Sequence, residues 1–226
     1  HPPAHLKMSL DGPKEGDYAM LAGYPGTTYR LRTAAEFANQ IDSVLPRRVE
    51  VFQQLLDIIE AQGKGNAAAR TRYASQLQSL KNNRKRAAGE LEGLRRSDAV
   101  RVRGEDERGM LATDVTAKER ADIDALAASI AGGSAMRERE LLLSLFGSQS
   151  QLMRAAITLE RLRVEAAKPD AERESGYQAR DHALIEGVLK QVQRRYAPEV
   201  EKALLTALLT RYQPLPHAQR LPDFDA

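Results

Sequence analysis

The chain contains few side chains that could carry out acid–base or nucleophilic chemistry. Its four histidines are His1, His5, His182 and His217. Two of them stand at the very start, His217 lies in a proline-rich tail, and His182 follows Asp181 in a helical pattern. A catalytic histidine needs a nucleophile and an orienting carboxylate, and no motif here supplies either. We therefore predict no catalytic residue and interpret His182 as a surface or capping histidine.

Motifs for phosphate, acyl-transfer or metal chemistry are also missing from the sequence. There is no Walker loop, no GxSxG nucleophile elbow and no HExxH zinc motif. Gly132-Gly133-Ser134 resembles a phosphate-binding turn only weakly, because a helix end followed by an N-cap explains the same residues. The chain has no cysteine, which excludes disulfides and cysteine-based zinc sites. We predict no metal ligand and no cofactor.

A basic segment is the remaining candidate for ligand binding. Between Lys81 and Arg103, eight Lys or Arg residues stand against three acidic residues, a local excess of five positive charges. The whole chain, with 34 basic and 31 acidic residues, carries only +3. Such a segment could bind phosphates, but it has no interleaved aromatic residues. A solvated helix face, or one that docks on an acidic partner domain, is therefore the better interpretation. A helical nucleic-acid-binding or protein-interaction module that uses the Lys81–Arg103 face is kept as the alternative function.

The composition predicts a helical protein of one large domain or two small ones. The 226 residues can bury a core, and 29% charged with only 5% aromatic residues are typical of helices rather than a β-sandwich. No run of 18 apolar residues exists, so we predict no membrane span. The first residues lack the pattern of a signal peptide, so none is expected in this segment, and the sequence does not begin with Met. We expect it to have been cut from a longer protein.

Apolar residues recur with a helical period from about Thr33 to Leu209. Pro46 opens the first predicted helix, and the capping box Thr116–Glu119 opens another. On the segment from Gly147, the apolar stripe predicted to face the core is Leu152, Ala156, Leu159 and Leu162. Because the links are short, neighbouring helices should pack antiparallel. The predicted fold class is an all-α, antiparallel multi-helix bundle with helices near 46–63, 66–92, 95–114, 117–132, 134–146, 147–168, 170–196 and 198–211.

The first thirty residues follow a different pattern. Residues 6–10 and 17–22 read as two short strands joined by the turn Asp11-Gly12-Pro13, and Gly23-Tyr24-Pro25-Gly26 then breaks the chain. A lone hairpin is marginally stable at best. We therefore predict that these strands belong to a sheet whose other strands lie elsewhere.

Three stretches of the sequence, in order, resemble a known family. The first is GD at 16–17 with GYPGTTYR at 23–30, and the second is YAS at 73–75 followed by NxxKxxxGExxGL at 82–94. The third is KPDxxRxxGYxxRD at 168–181. Together they resemble the bacterial dipeptidyl-peptidase 7 and 11 family of chymotrypsin-like serine dipeptidyl aminopeptidases.

The resemblance implies an inserted helical domain rather than a complete enzyme. In this family a helical domain interrupts a double β-barrel that holds a Ser-His-Asp triad, caps the cleft, and helps to restrict cleavage to N-terminal dipeptides. We expect 1–32 to be a strand stub of the barrel with the GYPG linker, 33–212 the helical cap, and 213–226 a proline-rich return segment. The triad would lie outside this chain, so the chain alone should be inactive. The implied partners are the peptide substrate's N-terminus, the barrel and a homodimer of the parent protein, without nucleic acid or membrane. The implied location is periplasmic or secreted.

One substrate-binding residue follows from the resemblance. An asparagine of the family's helical domain contributes to recognition of the substrate's α-ammonium, and Asn82 is the matching position. Its amide oxygen can accept a hydrogen bond from the ammonium without burial of another charge. Asn83 is the competing assignment, and an asparagine that bonds only backbone or water is the alternative interpretation. Gly89 costs roughly 1 kcal/mol in a helix interior, which predicts that something packs closely against it.

The segment after the second motif departs from the resemblance. Arg101, Arg103 and Glu107 replace the lysine and aromatic positions associated with the family there. The geometry of the link between 95 and 114 is therefore open at the sequence level.

Overall fold

A computed structural model of the chain describes residues 10–20, 23, 29, 31–113 and 115–222. The chain divides into two compact units, residues 1–32 and 33–226. The described part of the second unit is helical, which confirms the predicted all-α class. Its α-helices are α1 Ala34–Asn39, α2 Leu45–Gly63, α3 Ala67–Arg96, α4 Ala99–Leu111, α5 Ala117–Gly132, α6 Arg137–Gln149, α7 Gln151–Ala166, α8 His182–Arg195 and α9 Pro198–Tyr212. Among the described helices, none is both long and apolar enough to cross a bilayer.

The predicted N-terminal hairpin is not found in the described residues. Residues 10–20 form no strand. They contain one turn, in which Asp17 N donates to Lys14 O at 3.1 Å and Lys14 N donates to Asp17 Oδ2 at 2.8 Å. Tyr18 and Met20 are 89% and 78% exposed. Most of the first predicted strand lies outside the described residues. The second, as far as it is described, has no partner strand, and an isolated strand gains too little to form.

The core is built from four helices. α2 and α3, joined by residues 64–66, pack along each other as an antiparallel pair, and α9 packs on α2 and α6. These helices form the core because each carries apolar residues at helical spacing on one side. The buried cluster contains Val51, Leu55, Leu56, Ile59, Ala69, Tyr73, Leu80, Leu142, Leu145, Phe146, Ala197, Val200, Leu204, Leu208 and Tyr212.

A buried carboxylate of α9 ties α3 and α7 to that helix. Glu201 of α9 is 1% exposed and accepts hydrogen bonds from Tyr73 Oη at 3.2 Å and from the hydroxyl of Ser150. It also accepts from the backbone N–H groups of Gln151 and Leu152, each at 3.1 Å. These N–H groups belong to the first turn of α7, where a negative charge is favourable. Burial and the neighbouring carboxylate raise the pKa of Tyr73, which therefore stays a protonated donor.

Two predicted helix boundaries are wrong because side chains bond to backbone groups there. The helix expected from Gly147 begins at Gln151, since the Ser150 hydroxyl accepts from Met153 N at 3.0 Å and acts as the N-cap. The helix expected from Asp170 begins only at His182. Residues 170–181 instead form a loop with two short 3₁₀ turns, and Gly176 has a φ of +96°.

The third motif holds this loop together through its own side chains. Asp170 Oδ1 accepts from Ala179 N at 2.7 Å and from Arg173 Nη1 at 3.0 Å. The loop is fixed to α7 by Glu165, which is buried and accepts from Lys168 Nζ at 2.6 Å and Glu174 N at 2.8 Å. The Lys168 ammonium and the Glu174 amide lower the pKa of Glu165.

The apolar stripe predicted to face the core on α7 is partly open to solvent. Leu152 and Leu159 are 46% and 50% exposed, and Ala156 is exposed as well. Only Leu162 of the predicted stripe is half-buried, together with Met153 and Thr158 on the contacting side. α7 therefore presents an apolar row that nothing in the described part of the chain covers. Leu184 on α8, which packs against α7, is 68% exposed.

Removing the Glu201 carboxylate should destabilise this chain severely. Glu201→Ala leaves two hydroxyls and two N–H groups buried without an acceptor, so we expect the free energy of unfolding to fall by about 3–5 kcal/mol in urea denaturation. Tyr73→Phe removes a single donor and should cost only about 1 kcal/mol. Lys202→Ala, at the exposed neighbouring position, is the control. A loss for Glu201→Ala no larger than the control's would contradict the role given to Glu201.

The Glu165 contact should stabilise the chain at neutral pH and not in acid. Because its folded pKa lies below the ordinary 4.5, the stabilisation is complete above that value and is lost as the pH falls through the folded pKa. Urea denaturation should thus show a larger deficit for Glu165→Gln at pH ~7 than at pH ~3. Glu172→Gln is the control, since Glu172 makes no side-chain hydrogen bond or ion pair within the described residues. A pH-independent deficit would refute the assignment.

Candidate functional site

Asn82 lies on the outward face of α3. The buried residues of this helix are Ala69, Tyr73, Leu80 and Ala87, which face the core. Asn82 is exposed, whereas Asn83 is half-buried. Of the two asparagines, Asn82 is therefore the more exposed to solvent.

A neighbouring glutamine orients the Asn82 amide. Gln78 Nε2 donates to Asn82 Oδ1 at 3.2 Å, one helical turn away. A carbonyl oxygen can accept two hydrogen bonds, so Oδ1 keeps one acceptor site. The arrangement presents an amide oxygen, already turned in one direction, on a solvent-exposed helix face.

Two glycines continue the line of Asn82 along α3. Gly89 and Gly93 follow it at i+7 and i+11, and a Cβ built on either glycine meets no atom within 4 Å. The expectation that something packs closely against Gly89 is thus not met among the described residues. No described residue packs against the two glycines on the face that carries Asn82. Each glycine in the helix interior nevertheless destabilises the helix by up to about 1 kcal/mol relative to alanine.

Two cations flank this line of residues. Lys85 and Arg86 are exposed, and a helical projection places them on opposite sides of the Asn82–Gly89 line. Neither makes an ion pair within the described residues. By contrast, Lys81 Nζ lies 2.8 Å from Glu60, and Arg101 bridges Asp98 at 2.5 Å and Glu105 at 2.8 Å.

Two residues that depart from the family pattern, Arg103 and Glu107, hold α1 against α4. Glu107 Oε1 accepts from Ala34 N, at the start of α1, at 2.6 Å. The Arg103 guanidinium lies 5.9 Å from the centre of the Phe37 ring. Asp98, between α3 and α4, adopts a left-handed conformation with a φ of +50°. The link left open by the sequence is therefore a sharp turn followed by a helix that supports α1.

Sequence reasoning missed a cavity beside the start of α2. This cavity of about 610 Å³ is lined by residues from the π-helical turn Gln40–Val44, from α2 and from α6. On its wall Arg47 bonds Glu138 through two N–O contacts of 2.5 and 2.6 Å, while Glu50 accepts from Arg47 and Arg211 at 2.8 Å each. Arg211 and Arg47 lower the pKa of Glu50. The Arg47–Glu138 pair spans 91 positions, and no local pattern could have indicated it.

The histidines do not assemble a site in the described part of the chain. His182 is exposed as the first residue of α8, and His217 lies beside Arg220 in the C-terminal segment. His1 and His5 lie outside the described residues. Across the described ranges, no group of three His, Asp or Glu side chains is arranged to hold a metal ion.

Comparison with known proteins places these features in a family. A family model described as Peptidase S46 matches residues 1–226. An Asp/Glu-specific dipeptidyl-peptidase of Shewanella putrefaciens is 31% identical over 96% of this chain and 30% of that protein. A second Asp/Glu-specific dipeptidyl-peptidase, from Porphyromonas endodontalis, is 30% identical over 98% of this chain and 30% of its own length. The dipeptidyl-peptidase 7 of Porphyromonas gingivalis is 27% identical over 96% of this chain and 29% of that protein.

The match extends across the whole chain, which spans a little under a third of the length of these relatives. It includes the three motifs from which the resemblance was predicted, and it confirms the dipeptidyl-peptidase 7 and 11 family. The chain belongs to the peptidase S46 family.

Proposed function

We propose that residues 33–212 are the helical cap of a serine dipeptidyl-peptidase that releases dipeptides from peptide N-termini. The observation that carries the proposal is Asn82, an oriented amide on a helix face that is exposed in the described part of the chain. In this role Asn82 Oδ1 accepts a hydrogen bond from the substrate's α-ammonium. The cap covers the cleft and limits the length of chain that can enter, while the triad lies on polypeptide outside this chain.

The exposed apolar rows support a larger assembly. Leu152 and Leu159 on α7, and Leu184 on α8, would lose their solvent exposure against the rest of a longer protein. The relatives contain more than twice as much additional polypeptide as this chain has, which offers material to cover them. Residues 1–32 and 213–226 would connect the cap to the barrel, where the N-terminal residues could pair with strands that are not in this chain. A periplasmic or secreted location and a homodimer of the parent belong to the same proposal.

The names of two relatives bear on the substrate. Both are Asp/Glu-specific dipeptidyl-peptidases, each about 30% identical to this chain. We extend to the parent a preference for peptides with acidic residues near the N-terminus. The pocket for the second residue of the dipeptide would be formed mainly by the barrel.

Replacement of Asn82 should impair recognition of the free amino terminus. A hydrogen bond to a charged group contributes about 1.5–3 kcal/mol, so Asn82→Ala in the full-length parent should lower kcat/KM on dipeptidyl substrates about 10- to 100-fold. Asn83→Ala is the matched control and should change it less than about threefold. The measurement is steady-state kinetics with peptides that have a free α-amino group and with N-acetylated peptides that lack it. The variants compared should have the melting temperature of the wild-type parent. Equal losses in both variants, or none, would remove Asn82 from the site.

Side chains added at Gly89 should have opposite effects on the stability of this chain and on the activity of the parent. Gly89→Ala should raise the free energy of unfolding of this chain by about 0.5–1 kcal/mol, because helix propensity improves and a Cβ meets nothing here. In the parent, Gly89→Leu should lower kcat/KM at least about tenfold, because the bulky side chain would project into the covered cleft. Gly187, in the interior of α8 and equally open, gives the control Gly187→Leu. Full activity of Gly89→Leu would show that this face is not covered.

A further inference from the structure

We infer that Lys85 and Arg86 form a cationic rim beside Asn82 that attracts acidic peptides to the cleft. The inference rests on the proposed function and adds a property of the cap itself. It concerns the capture of the peptide rather than the bond that is cleaved. Its basis is the position, exposure and charge of these two side chains.

Neither cation forms an ion pair of 4 Å or less within the described part of the chain. Both are exposed, and neither makes an ion pair there. For Lys85 the sequence explains this, since its helical neighbours at three and four positions are Lys81, Asn82, Ala88 and Gly89. None of these neighbours is a carboxylate. A lysine so placed keeps its full charge available to a ligand.

The nearby acidic groups leave a positive balance on this face. Glu92 lies 3.9 Å from Arg96, so these two exposed charges offset each other. Glu90 is half-buried on the same helix, one turn after Arg86. Lys81, farther from the glycine line, is paired with Glu60 of α2. Lys85 and Arg86 are therefore exposed cations within about one helical turn of Asn82 that make no ion pair in the described residues.

The alternative of nucleic-acid binding is disfavoured by the same helix. Binding of single strands uses exposed aromatic side chains on which bases stack. The one aromatic residue of α3 is Tyr73, and it is 1% exposed and bonded to Glu201. A basic face without stacking residues fits a flexible acidic peptide better, because such a peptide needs only charge complementarity and a hydrogen bond to its amino end.

Exposed charges of this kind act mainly on association. They raise the local concentration and the association rate of an oppositely charged ligand, and salt screens the effect over a Debye length of about 8 Å at physiological ionic strength. Charges at the rim of a binding site change the association rate and its salt dependence rather than the chemical step. The rim should therefore act on kcat/KM, and its effect should disappear at high salt.

The test uses the full-length parent and two quenched fluorescent peptides. Both carry the same N-terminal dipeptide, and the segment after the cleaved bond is acidic in one and neutral in the other. In Lys85→Glu/Arg86→Glu, the acidic-to-neutral ratio of kcat/KM should fall about tenfold at ~20 mM salt and return to within about twofold of wild type at ~0.5 M. Arg194→Glu/Lys202→Glu makes the same charge change at exposed cations of α8 and α9, and should keep the wild-type ratio.

The outcomes separate this inference from the proposed function. If the parent releases dipeptides and Lys85→Glu/Arg86→Glu keeps the wild-type ratio, the cationic rim is refuted and the cap proposal stands. An equal fall in both double variants points to net charge alone and also refutes it. If the parent releases no dipeptide from either peptide, both proposals fail. A mobility shift of RNA or DNA by this chain that is lost in Lys85→Glu/Arg86→Glu, with an unaltered peptide ratio, would assign the face to nucleic acid.

Discussion

The carboxylate of Glu201 is the point at which the helical unit is held in one arrangement. A buried carboxylate needs several donors, and Glu201 receives them from α3, from the Ser150 hydroxyl and from the first turn of α7. Each helix that donates is thereby fixed in rotation and in height relative to α9. Apolar packing alone would permit small slips along the helix axes, whereas these hydrogen bonds have directions and lengths that a slip would break.

This constraint reaches the candidate site through a single helix. Tyr73 and Leu80 fix the buried side of α3, and the opposite side of the same helix carries Asn82. The core thus determines where the amide points, and Gln78 determines how the amide is turned. A site on a long packed helix is positioned more precisely than one on a loop. In the proposed role, α3 would present Asn82 to a peptide end without a dedicated pocket of its own.

Features set by neighbouring residues, such as helix caps, are predictable from the sequence. Features set by contacts between residues far apart in the sequence are not. The capping box Thr116–Glu119 follows from spacing alone, and the structure has it as predicted. Residues 170–181 are predicted as helix but form a loop, since Asp170 accepts a hydrogen bond from the Ala179 amide nine residues away and helical periodicity gives no sign of that contact. On α7 the periodicity predicts a core-facing stripe, but Leu152, Ala156 and Leu159 of that stripe are exposed, since no described part of the chain covers them. Glu201 was overlooked, although its place in a buried row with Ala197 and Leu208 was a signal.

The length of α3 gives its outer face a mechanical property. With 30 residues at about 1.5 Å rise each, α3 is a rod of roughly 45 Å, and Asn82 lies near its midpoint. A tilt of about 5° about either end would displace the amide by nearly 2 Å, and about 1 Å of misplacement is already enough to weaken catalysis substantially. Angular stiffness at the two ends of one helix, at Asn66 and at the left-handed Asp98, therefore sets the accuracy with which the Asn82 amide is positioned.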